Sequence, residues 1–304
     1  MQSSTISPGI AIVALGGYAP DEVAYRRALS VLESRGFAVH AYYDPARKHQ
    51  RFGASDAQRL AMLHAAARNP DVSIVLALRG GYGMSRLLSR IDYTLLAHSG
   101  KLFVGHSDFT ALQMGLLATT GAASFAGPMV CDDFTREDLS DYTLDHFFGC
   151  IGAPECVVRG AAPGNPAIDA SGTLWGGNLA MLTHLAGTPY LPHIDGGILF
   201  VEDVNEHPYR VERMLLQLHH AGVLKRQRAL LLGDFSAYRL SDYDNGYDFD
   251  AMLSWLRAEL PIPVLTGLPF GHVRDKVTLA VGAHARLVSD GEGWSLTMRE
   301  YPHL

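Results

Sequence analysis

The 304-residue chain, 48% hydrophobic and 18% charged, is long enough to bury a sizeable core and to divide into two domains. Its net charge of −6 excludes a generic nucleic-acid binder, which needs a basic face to neutralise phosphates. Its three cysteines, Cys131, Cys150 and Cys156, lack CxxC spacing, which argues against a disulfide framework and for buried thiols in a reducing compartment.

No Lys or Arg precedes Arg26, and the apolar run Ile10–Leu15 is too short for the hydrophobic region of a signal peptide. No later stretch approaches the length that crosses a bilayer. A soluble, cytoplasmic protein with no membrane partner is expected.

GIAIVAL (9–15) reads as a buried strand ending at Gly16-Gly17, and Asp21 as the cap of a helix that Gly36 stops. AVHAYY (38–43) is the next strand, and an Ala/Leu/Met-rich helix follows near 55–68. SIVLAL (73–78) runs into RGGYG (79–83), then into a helix containing Leu87 and Leu88. KLFVG (101–105) is a further strand and TALQMGLLATTG (110–121) a helix with a glycine stop. Strands alternating with helices predict right-handed crossovers and a parallel, Rossmann-like sheet over residues 1–150.

Residues 151–172 are rich in Gly, Pro and Ala without periodicity and read as a linker holding one short strand near Val157–Val158. Residues 173–304 read as a smaller mixed α/β domain. Its elements are TLWGGNLAMLTHLAG (173–187), strand 197–204, helix 209–222, strand 228–235, helix 249–260, strand 263–270 and a terminal antiparallel pair. The fold class is α/β, with the active site in the cleft between the two domains. Functional groups in such sheets gather at the carboxyl ends of strands.

FVGHSDFT (103–110) has the layout of a strand–turn–helix elbow. Gly105 allows a bend, Ser107 stands at its apex, and the N–H of the next residue is free to face an oxyanion at a helix start. Phe109 replaces the last glycine of G-x-S-x-G, so this is not an α/β-hydrolase elbow, and a Ser/Asp helix cap explains the same spacing. A serine nucleophile needs a base, and the base an orienting carboxylate. His106 is adjacent and would point away, which suits a structural or pocket-lining role. His272 follows a buried strand ending in glycine. Glu202 and Asp203 end the apolar strand GILFVEDV.

RGGYG lacks the lysine and spacing of a phosphate loop, and DYDNGYDFD (242–250) has its glycine one place early and Leu253 where a calcium loop needs Glu. Neither these segments nor any Cys/His cluster implies a cofactor or metal.

Taken together, LRGGYGMSRLL (78–88), GHSDFTALQ (105–113), GTLWGGNLAML (172–182), ILFVEDVNEHPYRVERMLLQL (198–218), DYDNGYD (242–248) and TGLPFGH (266–272) carry a resemblance. Across essentially its whole length the chain resembles the LD-carboxypeptidase (muramoyltetrapeptide carboxypeptidase) family of serine peptidases. The resemblance implies Ser107 as nucleophile, His272 as general base and Glu202 as orienting acid, without metal or cofactor. It implies oxyanion donors at Asp108 and at one glycine of RGGYG, Gly80 or, preferably, Gly81. The implied substrate is a murein tetrapeptide that loses its terminal D-alanine, trimmed in the cytoplasm during wall recycling, and the implied assembly is a homodimer. A terminal carboxylate calls for a cation, with Arg79 and Arg210 as candidates. Trp175 and Asn178 are candidates to line the peptide site. The alternatives are an enzyme of this layout acting on a peptide–nucleotide conjugate or cyclic peptide, a non-catalytic muropeptide-binding protein, and an α/β-hydrolase esterase. The last is discouraged by the missing G-x-S-x-G.

Overall fold

The computed structural model describes residues 8–304, so the first seven residues of the opening segment lie outside it. Five strands run parallel: β1 (Gly9–Val13), β2 (Ala38–Ala41), β3 (Ile74–Ala77), β4 (Leu102–Gly105) and β5 (Ser124–Ala126). The three central ones, β1, β3 and β4, are buried along their whole length, which is why each is an unbroken apolar run and not an alternating one. The connecting helices are α1 (Glu22–Ser34), α2 (Asp56–Arg68), α3 (Tyr93–His98) and α4 (Thr110–Thr120), with α5 (Asp141–Ile151) after β5. Their starts are written in the sequence. Asp21 accepts from the N–H groups of Val23 and Ala24, and Ser55 with Gln58 forms a capping box.

A second, mixed sheet of seven strands takes the rest of the chain. It contains β6 (Glu155–Ala161), β7 (Ile168–Asn178), β8 (Ile198–Val204), β9 (Ala229–Ser236) and β10 (Val264–Leu265), with helices α6 (Leu179–Leu185), α7 (Pro208–His220) and α8 (Phe249–Glu259) between them. The chain then returns to the first sheet as β11 (Leu279–Val281), antiparallel to β5, before β12 (His284–Ser289) and β13 (Gly293–Arg299) complete the second. The strand orders are β11-β5-β4-β3-β1-β2 and β10-β9-β8-β7-β12-β13-β6. Counted in strands, the second sheet is the larger.

Three expected elements differ. The helix expected around Leu87 and Leu88 is two short 3-10 turns, Met84–Arg86 and Leu88–Arg90, the first headed by a Met84 N–H that donates to the Asp108 carboxylate. The stretch expected as a linker is largely strand. β6 pairs with β13, and the first half of β7 pairs with β12, so partners more than a hundred residues away impose the extended form on a sequence with no pattern of its own. The strand expected over 263–270 stops at Leu265, where Asn165 takes the Thr266 N–H and the chain turns out of the ladder.

That exit has a consequence for function. The segment from β10 to β11 passes from the second sheet to the first and is fastened on arrival. Thr143 Oγ1 accepts from the Lys276 N–H at 2.9 Å, and Ser140 donates to Asp275. The Lys276 ammonium pairs with Asp133, both fully buried, while Asp133 also accepts from the Met129 N–H at 2.8 Å. Burial pushes the Asp133 carboxyl up, opposed by the Lys276 charge. Among the described residues no helix is long and apolar enough to cross a membrane.

Lys276→Met strands the Asp133 carboxylate in the interior and is expected to destabilise the protein by about 3–5 kcal/mol. Adding Asp133→Leu should recover most of that loss. Urea unfolding of the single and double variants checks it, and equal midpoints would show that the pair carries no such weight.

Candidate active site

β4 delivers the chain to Gly105 and an extended His106, then to Ser107, which opens a 3-10 turn leading into α4. The constrained residue is Ser107 itself, with φ +60°, and not Gly105. A left-handed serine stores on the order of 1–3 kcal/mol of strain, held by the packed strand behind it and the helix ahead. Gly80 of RGGYG faces it: a Cβ added there would lie 2.6 Å from both Ser107 Cβ and Oγ and 3.4 Å from the Asp108 nitrogen. Any side chain at position 80 would collide with Ser107. Asp108 ties the two loops together, its Oδ2 accepting from Met84 N–H at 2.9 Å. Burial raises the Asp108 carboxyl to about 6 against that bond.

Glu202 lies on β8 where the register with β9 shifts between Val201 and Asp203. A bulge there turns two successive carboxylates inward. Glu202 has no exposed surface. Its Oε2 accepts from His272 Nδ1–H at 2.8 Å and its Oε1 from Asn178 Nδ2 at 3.2 Å. Asp203 takes the same Asn178 amide at 2.9 Å and the Ala180 N–H at 2.9 Å, and thereby holds the first turn of α6. Burial, then the charge of Glu202, raises the Asp203 carboxyl to about 6.

His272 sits on the crossing segment with 22% of its side chain exposed. Its bond to Glu202 fixes the Nδ1–H tautomer and leaves Nε2 as the free nitrogen. Burial disfavours its imidazolium, but the hydrogen bond and charge of Glu202, with the charge of Asp203, outweigh burial and raise its pKa. Ser107 precedes α4 by a single turn, and α4 is docked to the second sheet at its first residue, where Thr110 Oγ1 accepts from the Asn178 N–H at 3.1 Å. Gly177, at φ +139°, admits that approach, since a Cβ there would come within 2.6 Å of Thr110 Oγ1. The His106 ring completes the wall. Its Nδ1 donates to the Gly127 carbonyl at 2.8 Å, and it packs edge-on to His272 with centroids 5.2 Å apart. Burial, then the charges of Lys276 and His272, holds its pKa well below the ordinary value, so it stays neutral. Ser107 Oγ makes no hydrogen bond to His272; such bonds commonly tighten on substrate.

Ser107, Gly80, Asp108, His272, Glu202 and Asn178 therefore gather at one junction between the sheets. The Asn178 side-chain amide binds both carboxylates. Trp175 lies elsewhere: it is 1% exposed and its indole N–H is satisfied by Gln227 at 2.9 Å, so it packs the interior and cannot touch a peptide. Arg210 is exposed on α7 and its guanidinium is taken by Glu206. Arg79 and Gly81 line a cavity of about 190 Å³ with Gly17, Tyr18, Arg51 and Tyr82. A second cavity of about 590 Å³ has Asp234, Asp248 and Asp250 among its lining residues. Sequence reasoning missed Thr110 and Arg51, and noted Asp203 only as the neighbour of Glu202 at the strand end. The asparagine preceding a helix in WGGNLAML signals the cap at Asn178, but nothing in the sequence signals the carboxylates it holds. Among the described residues no group of three or more His, Cys, Asp or Glu is arranged to hold a metal ion.

Comparison with known proteins gives a consistent answer. The family model for the LD-carboxypeptidase N-terminal domain matches residues 10–127, and that for the LD-carboxypeptidase C-terminal domain matches residues 171–287. A crystal structure of muramoyltetrapeptide carboxypeptidase from Oxalobacter formigenes superposes with TM-score 0.93 at 58% identity, covering 97% of this chain and 99% of that one. The Bacillus subtilis protein named "Probable murein peptide carboxypeptidase" is 30% identical over 275 residues, 88% of this chain and 85% of that protein. A structure of MccF in complex with glutamyl sulfamoyl guanosine superposes with TM-score 0.88 at 22% identity, covering 98% of this chain and 97% of that one, a likeness of fold alone.

Glu202→Gln removes a charge that, with its hydrogen bond and the charge of Asp203, outweighs burial at His272. The imidazole pKa is then expected to fall below its wild-type value, which itself lies above the ordinary ~6.5. Histidine ring NMR titration, with His272→Gln to identify the signal, reads this directly. An unmoved titration curve would contradict the assignment of Glu202 as its partner.

Proposed function

The chain belongs to the LD-carboxypeptidase family, and on that premise we propose that it is a serine carboxypeptidase removing the terminal D-alanine of murein tetrapeptides. The observation that carries the reading is the Glu202–His272 hydrogen bond of 2.8 Å, at the junction where a left-handed Ser107 leads into α4.

In this reading His272 Nε2 takes the Ser107 proton as Oγ attacks the scissile carbonyl. Glu202 holds the tautomer and stabilises the imidazolium that forms. The carbonyl oxygen becomes an oxyanion at the start of the α4 turn, where the Asp108 N–H and a backbone N–H of the Gly80–Gly81 segment receive it. The imidazolium then gives its proton to the departing amine. Water, deprotonated by the same ring, releases the acyl group from Ser107. The nucleophile is assigned to the lobe around the first sheet, and the acid and base to that around the second. Trimming of wall-derived peptides in the cytoplasm, by a homodimer, is the setting we propose. A peptide–nucleotide conjugate as substrate has only a fold-level likeness behind it.

Ser107→Ala is expected to lower kcat by about 10⁴-fold or more while leaving folding intact. Mass spectrometry of purified muropeptides should find one alanine lost from a tetrapeptide and none from a pentapeptide; an unchanged tetrapeptide after prolonged incubation would refute the hydrolytic reading. Because His272 is a base only when neutral and its pKa is raised, kcat/KM should climb with pH through an acid limb centred above ~6.5. A limb at or below that value would count against His272 as the base.

A further inference from the structure

We propose that the cavity of about 190 Å³ beside Ser107 is the seat of the leaving residue, whose α-carboxylate is gripped by Arg51 and Arg79 together. This deepens the carboxypeptidase reading and rests on Ser107 as nucleophile.

The cavity adjoins the nucleophile through the backbone. Arg79 immediately precedes Gly80, which abuts Ser107, and Gly81 lines the cavity itself. One guanidinium N–H of Arg79 is oriented by the Tyr18 carbonyl at 3.3 Å, which leaves its other donors free. Arg51 is carried on a tight turn that is closed by reciprocal bonds between His49 and Phe52 at 3.0 and 2.9 Å, with Phe52 buried. Its side chain lies over the Tyr82 ring, 5.8 Å from the centroid. Neighbouring arginines are neutralised: Arg59 and Arg86 pair with Asp56, and Arg47 pairs with Asp44. Among the described residues, Arg51 and Arg79 have no carboxylate within salt-bridge distance. Two unneutralised guanidiniums converging on one small cavity form a carboxylate receptor, since each presents a planar fork of donors.

Size and charge then account for cleavage of a single residue. Ligand cavities for drug-sized molecules run about 300–1,000 Å³, so this one suits one small amino acid. A chain longer by one residue would bring a neutral amide, in place of the carboxylate, to the two cations. The larger cavity, lined by Leu268 and Pro269 shortly before His272 in the chain and with Asp234, Asp248 and Asp250 in its wall, repels a carboxylate and favours a cationic group. The two cavities together orient the substrate, with its acid terminus toward Arg51 and Arg79.

The test compares a tetrapeptide with its C-terminal carboxamide. Wild-type kcat/KM is expected to favour the free acid by about 10²–10⁴-fold. Arg51→Met and Arg79→Met should each collapse that ratio by about 30-fold or more, with urea unfolding as the check on folding. Equal losses on both substrates, or no preference in the wild type, overturn the proposal. If the wild type hydrolyses neither, the functional reading fails separately, and calorimetry on Ser107→Ala with N-acetyl-D-alanine and its amide decides the pocket. Binding of the acid alone, lost in both methionine variants, sustains it, and absence of binding overturns it.

Discussion

One asparagine sets the spacing of the site. The Asn178 backbone N–H reaches Thr110 on α4, and its side-chain amide reaches Glu202 and Asp203. Ser107 lies on the same turn as Thr110, and His272 is bonded to Glu202. Asn178 at the end of β7 thus links the turn of Ser107 to the carboxylate that holds His272. Ser107 and His272 lie 165 residues apart, and no local turn could bring them together. The cost is a pair of adjacent buried carboxylates. Asn178 supplies N–H groups to both, yet Asp203 is still raised to about 6 by burial and by Glu202.

The crossing segment between β10 and β11 serves the same end from the other side. Its residues belong to neither sheet, and a free loop would not hold an imidazole to the tolerance that proton transfer requires. The buried Lys276–Asp133 pair and the Thr143 contacts fasten it to the first sheet, and Glu202 fastens it to the second. A buried ion pair is weak evidence for net stability. Here it has a directional use, since it fits only one seating of the loop. His106, whose pKa is held well below its ordinary value by burial and by the charges of Lys276 and His272, packs against the His272 ring.

Much of the fold was legible because each central strand is a short apolar run and most helices carry a side-chain cap, as at Asp21 and Ser55. Two of the failures share a cause. Residues 155–161 are extended because β13 lies beside them. Thr266 leaves its strand because Asn165 intercepts its backbone. In both, a partner remote in sequence overrides a weak local preference.

Local chemistry, then, was determined by the order of residues. A serine before a helix, two carboxylates at a strand end and a histidine after a glycine are visible as a string, because helix caps, apolar runs and turns act over a few residues. The elbow's strain at Ser107, the partnering of Asn178 with both carboxylates, the burial of Trp175 and the paired guanidiniums of Arg51 and Arg79 were decided only in three dimensions. Those properties depend on desolvation and on contacts between residues 24 to 52 positions apart, and neither exists until the chain has packed.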